Sequence, residues 1–167
     1  GGSKLIVWLN KSYSPGAAVT TPDLSNKGTM TLTSTSLTVS GTLTNTATGM
    51  IRLNGDETPS IGTFTQATGS TVTYIGAGAY NSLPLGNTYY HLIYNGTGSW
   101  KHTALLTVNG NLTIQAGTLN SNGQNVSLVG NWSSSATYTG GANTVTLSGT
   151  DQIIYGNNSF TGLYKHV

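Results

Sequence analysis

The spacing of glycine constrains this chain more than any other feature. It has 23 glycines in 167 residues, and its longest glycine-free stretch, residues 3–15, is 13 residues long and ends in a proline. A glycine in mid-helix costs about 1 kcal/mol relative to alanine. Thr, Ser and Asn are poor helix formers as well, because their side chains compete for the backbone. With Gly, these three types make up 86 residues. No amphipathic helix of ordinary length fits between the breaks, so the chain is expected to be all-β.

Richness in Gly, Ser and Asn also marks disordered chains, but those lack aliphatic, aromatic and β-branched residues. This chain carries 29 Thr, 9 Val, 8 Ile, 17 Leu and 14 aromatics. Such residues suit a pleated, half-buried surface, and the length suits one domain.

Two repeats are legible. Residues 37–44 (LTVSGTLT) match residues 106–113 (LTVNGNLT) at an offset of 69. Thr63-Phe64-Thr65 matches Thr137-Tyr138-Thr139, and Asn87-Thr88-Tyr89 matches Asn158-Ser159-Phe160. This pattern predicts an N-terminal coil or cap segment over 1–35 and two modules over 36–105 and 106–167, in one continuous domain. A shorter beat places a glycine after each apolar alternation, at Gly41, Gly55, Gly76, Gly96, Gly110, Gly130 and Gly149. Period-2 runs such as Val72/Tyr74, Leu106/Val108 and Val145/Leu147 put one strand face inward and the other toward water.

A β-sandwich and a β-solenoid both give strands at this spacing, but repetition on two scales favours the solenoid. So does the charge count. Only 6% of the residues are Asp, Glu, Lys or Arg, against about 25% in an ordinary domain. Coils stack about 4.8 Å apart, and like charges in such a column repel, whereas Thr, Ser and Asn can hydrogen-bond to their own kind. The expected fold is a β-solenoid of about 7–8 coils, with a β-sandwich as the alternative.

The runs VNGNLTIQAGTL (108–119), LVGNW (128–132) and TYTGGANTVTLSG (137–149) resemble the repeats of large secreted, Thr/Gly/Asn-rich, adhesin-like bacterial surface proteins. The resemblance covers roughly residues 36–167. It implies a right-handed parallel β-helix in an extracellular or cell-surface setting.

The same composition limits chemistry. Four carboxylates (Asp23, Asp56, Glu57, Asp151), three histidines and no cysteine give no catalytic, metal or cofactor constellation. Asp56 and Glu57 follow Asn54-Gly55 and precede Pro59, which reads as a solvated turn. His91 and His102 are expected to lie outward, and His166 has no metal-ligand spacing. A net charge of +2 builds no basic surface for nucleic acid, and no apolar run is long enough for a membrane helix. Gly1-Gly2-Ser3 reads as an expression remnant or the start of a processed chain. Six Asn-x-Ser/Thr sites, at Asn10, Asn95, Asn111, Asn125, Asn131 and Asn157, are close to the number chance would give.

Three surfaces remain as candidates. Tyr89, Tyr90, Tyr94 and Trp100 could form a glycan-facing aromatic platform, with core filling as the competing reading. Leu5, Ile6, Val7, Trp8 and Leu9 could be a strand that pairs with another subunit. The Thr-x-Thr runs could bind ice, but only if they recur once per coil on one face. The expected function is a non-catalytic structural segment, a stalk, spacer or filament subunit. It would associate through solenoid ends or neighbouring repeats of a longer chain. A polysaccharide-binding module is the alternative.

Overall fold

Apolar residues alternate with Thr or Ser between glycine corners, and in the structure nearly every such run becomes a short strand. The computed structural model describes residues 3–156 and 158–165. Among these there are twenty-two strands and no helix. In chain order they are β1 (Leu5–Val7), β2 (Ser12–Tyr13), β3 (Val19–Thr21), β4 (Leu24–Asn26), β5 (Thr29–Leu32), β6 (Leu37–Asn45), β7 (Met50–Leu53) and β8 (Ser60–Gln66). Then come β9 (Thr71–Tyr74), β10 (Ala79–Tyr80), β11 (Thr88–Tyr89), β12 (His91–Tyr94), β13 (Ser99–Lys101), β14 (Leu106–Val108) and β15 (Leu112–Ile114). The last are β16 (Thr118–Asn120), β17 (Val126–Leu128), β18 (Trp132–Ser134), β19 (Thr137–Thr139), β20 (Thr144–Leu147), β21 (Ile154–Gly156) and β22 (Gly162–Lys165).

All pairings are parallel, and the fold is a β-solenoid. One sheet of eight strands, β2-β5-β7-β9-β12-β15-β18-β21, runs along the whole stack. Its register advances 21 residues from Thr29 to Met50, 21 from Met50 to Thr71, and 20 from Leu92 to Leu112. A coil is therefore about 20 residues. The 14-residue intervals in the glycine beat are steps between corners of a single coil.

The other faces change midway. The lower coils close with one sheet containing β1, β3, β4, β6 and β8. The upper coils close with two, β10-β13-β16-β19 and β11-β14-β17-β20-β22. The change falls between Gln66 and Thr88, inside the first sequence module.

Inward side chains form columns. On the long sheet, Met30, Ile51, Val72, Leu92, Leu112 and Trp132 make one, and Leu32, Leu53, Tyr74, Tyr94 and Ile114 make its neighbour. All of them are buried. Burying each large aliphatic contributes about 1.5–3 kcal/mol, and these columns form a single continuous core.

The 69-residue repeat does not mark equivalent positions in the fold. It is about three and a half coils. Residues 37–45 form the single strand β6, bulged between Val39 and Thr42. Their counterparts cross a corner from β14 to β15. What the two copies share is local. Gly41 N–H donates to Pro22 O and Thr42 N–H to Asp23 Oδ1. Gly110 N–H donates to Tyr90 O and Asn111 N–H to His91 Nδ1.

Candidate functional site

The side chains that could do chemistry are mostly engaged in joining one coil to the next. His91 Nδ1 accepts from Asn111 N (2.9 Å), Asn111 Oδ1 from Asn131 N (2.9 Å), and Asn131 Oδ1 from Ile153 N (2.8 Å). Asp23 Oδ1 and Asn125 Oδ1 do the same for Thr42 and Thr144. At such positions the acceptor occupies the space a Cβ above it would need. A Cβ on Gly41 would lie 2.5 Å from Asp23 Oδ1, on Gly110 2.6 Å from His91 Nδ1, and on Gly130 2.5 Å from Asn111 Oδ1. Side-chain caps thus account for Gly41, Gly110 and Gly130, whereas Gly96 and Gly149 lie against backbone carbonyls of the coil below and Gly55 and Gly76 against the Tyr80 ring.

Two of the carboxylates, Asp56 and Glu57, meet at Ser34, but no group of three or more His, Asp or Glu is placed to hold a metal among the described residues. Asp56 is exposed and accepts from Ser34 Oγ (3.0 Å). Glu57 departs from the expected solvated turn, because its side chain is buried. Its carboxylate accepts from the backbone N–H groups of Asn54 (2.8 Å), Gly55 (2.8 Å) and Ser34 (3.2 Å). Three such charge-assisted bonds compensate for the water it has lost.

His91 is half-buried on β12, with its ring accepting at Nδ1, so the proton sits on Nε2. His102 was expected outside and is instead fully buried. Its Nδ1 donates to Ala104 O (2.8 Å), and its Nε2 has no partner. Burial pushes both histidines below their usual range, since desolvation disfavours the charged ring. His166 and Asn157 lie outside the described residues.

The aromatic platform is corrected by burial. Tyr89, Tyr94 and Trp100 are each 0% exposed. Tyr74 and Tyr94 stack at 5.6 Å, Trp100 packs 5.4 Å from Tyr94, and the hydroxyls of Tyr74 and Tyr89 meet at 2.8 Å. Trp100 Nε1 donates to Asn54 O (2.7 Å). These rings fill the core because they alternate inward on β11, β12 and β13. Of the four, only Tyr90 reaches the surface, half-buried and edge-on to His91 at 4.6 Å.

Leu5, Ile6 and Val7 form β1 at the edge of the lower sheet, paired only with β4 among the described residues. Trp8 and Leu9 follow in a turn and are exposed, with Lys27 Nζ 5.0 Å above the Trp8 ring. At the other end of the stack, Ile153, Tyr155, Leu163 and Tyr164 are exposed. The Thr-x-Thr runs scatter over four sheets: 29–33 and 71–73 on the long one, 42–44 and 63–65 on the lower one, and 137–139 and 144–146 on the two upper ones. No single face collects them.

Where the lower sheet gives way to the upper ones, β8 and β11 do not pair through their backbones. Gln66 spans the gap with its side chain. Its Nε2 donates to Thr88 O (2.5 Å) and its Oε1 accepts from Tyr90 N (3.4 Å). An amide in that position copies the two bonds a residue opposite Tyr89 would make in a parallel ladder. Leu83 and Leu85 turn into the core on a segment with no strand of its own. An open cleft of about 360 Å³ results, bordered by Phe64, Gln66, Leu85, Asn87, Tyr90 and Asn109 among others. Sequence reading passed over this place. Its signal was Pro84 and Gly86, which interrupt strand alternation within a coil of ordinary length. No protein-family model, curated protein or solved structure matches the chain.

Proposed function

We propose that the chain is a non-catalytic structural segment of a secreted or cell-surface bacterial protein, a stalk, spacer or filament subunit. The observation that carries this reading is the use made of the polar side chains. Asp23, Glu57, His91, Asn111, Asn125 and Asn131 each accept a backbone N–H, and most of them join two successive coils. Groups arranged this way hold a rod together and are not poised to attack a substrate. The resemblance of residues 36–167 to surface-protein repeats supports the extracellular setting. Seven steps of about 4.8 Å along the eight-strand sheet give a rod of roughly 34 Å.

Among the described residues, both ends of the stack present unpaired parallel edges with exposed apolar side chains, Trp8 and Leu9 at one and Ile153, Tyr155 and Tyr164 at the other. Such edges pair readily. Further coils of a longer chain, or a second copy, would cover them. Sedimentation over a concentration series with electron microscopy tests this. Stacks with an axial repeat of roughly 34–40 Å are expected of a filament subunit. A strict monomer at every concentration overturns the filament and leaves the spacer.

A further inference from the structure

We infer that the cleft between β8 and β11 is a binding site for an uncharged, hydroxyl-rich ligand, a segment of neutral saccharide. Its volume of about 360 Å³ falls in the roughly 300–1,000 Å³ range of small-ligand sites. Of the three aromatic residues that line it, Phe64 and Tyr90 are half-buried and Tyr89 is fully buried. Ring faces of this kind offer apolar area to the C–H faces of a sugar. Asn87, Thr88 and Asn109 bring amides and a hydroxyl to the same rim. The Oδ1 of Asn87 is itself buried beside the cleft and has no hydrogen-bond partner. Gly86, at φ +84°, has open space where a Cβ would project, so nothing narrows that side.

The lining also rejects the other ligand classes. It contains no Asp, Glu, Lys or Arg, so neither an anion nor a cation finds a counter-charge. An apolar molecule would strand the rim amides without water, at about 1–3 kcal/mol each. An added peptide strand needs free backbone groups, but the Thr88 carbonyl and the Tyr90 N–H on this side are already taken by Gln66.

Affinity electrophoresis of the intact chain through gels cast with dextran, galactomannan or alginate tests the site. Retardation is expected in at least one of the two neutral gels and not in alginate. Tyr90→Ala should weaken it about tenfold, the equivalent of losing one aromatic contact of about 1.4 kcal/mol. Asn109→Ala, at an exposed position, should weaken it without altering the melting curve. Unretarded migration in both neutral gels, retardation by alginate alone, or retardation that survives both substitutions would overturn the assignment. None of these outcomes bears on the structural role, which the stacking experiment tests separately.

Discussion

Two asparagines lie wholly inside the lower coils, and removing one should destabilise the solenoid far more than its size suggests. Asn26 and Asn45 are both 0% exposed and directly opposite in register. Asn26 Nδ2 donates to Asn45 Oδ1 (2.9 Å) and to Met50 O (2.9 Å), and Asn45 Nδ2 donates to Thr71 O (3.0 Å). Asn45→Ala strands one buried N–H of Asn26 and removes the side-chain donor from the Thr71 carbonyl, which keeps its place in the β7–β9 ladder. The orphan costs about 1–3 kcal/mol and the lost bond about 0.5–1.5 kcal/mol, so the expected loss is about 1.5–4.5 kcal/mol. With a urea m-value of about 2 kcal/mol/M, the midpoint should fall by roughly 0.8–2.2 M while m stays constant. The control is Thr65→Ala, on an exposed outward position of the next strand, which should stay within about 0.5 kcal/mol of the parent. If Asn45→Ala also stays within about 0.5 kcal/mol, buried amides do not bind one coil to the next, and the reasoning fails.

Gly130→Ala should cost about 1–3 kcal/mol through overpacking, because its Cβ would meet Asn111 Oδ1 at 2.5 Å as well as the Gly110 carbonyl; thermal melts measure it. His91 and His102 have folded-state values below the ordinary one near about 6.5. The unfolded chain therefore takes the proton first, and stability present above about pH 6.5 is lost as pH falls toward the folded values. His91→Asn, which keeps an acceptor under Asn111 N, should flatten part of that loss in urea titrations from about pH 7.5 to about pH 5. Burial raises the phenols of Tyr74, Tyr89 and Tyr94. Above about pH 10 the unfolded chain ionises these residues first and stability falls as pH rises; their phenolate absorbance should appear only together with unfolding.

The all-β class, the number of coils and most inward residues were legible, the last because period-2 alternation fixes which face of a strand is buried. Leu37, Val39, Leu106, Val108, Val145 and Leu147 all point inward as that pattern predicts. The aromatic cluster was harder to place. Tyr89 and Tyr90 are adjacent, so one had to face outward, but which one depends on register, and register comes from the ladder with β14 and the Gln66 bonds, each a coil away. Glu57 and His102 misled for the same reason. A charged or titratable side chain reads as exposed until the N–H groups or carbonyl that receive it are known, and those come from positions such as Ser34 and Ala104 whose proximity only the fold creates. The cleft left no periodic signal, since it is a local failure of the period.

The scarcity of charge has a geometric origin that can be tested. Outward columns on the long sheet are shared by successive coils, and Arg52 stands between Thr31 and Thr73 in one of them. On an upper sheet Lys101 stands between Asn81 and Asn120, with its ammonium 3.3 Å from Asn81 Oδ1. Each cation is flanked by hydroxyls or amides. Thr31→Lys would put a second cation directly opposite Arg52, and Thr31→Glu an anion. Directly opposed like charges on neighbouring strands destabilise, and opposite charges stabilise, by roughly 0.2–1 kcal/mol. Relative to Thr31→Gln, the lysine variant should melt lower and the glutamate variant higher at low salt. The two should converge as salt shortens the Debye length from about 30 Å at 0.01 M to about 3 Å at 1 M. If lysine and glutamate shift the melting point equally, and without salt dependence, column repulsion is not what keeps charge out of this chain.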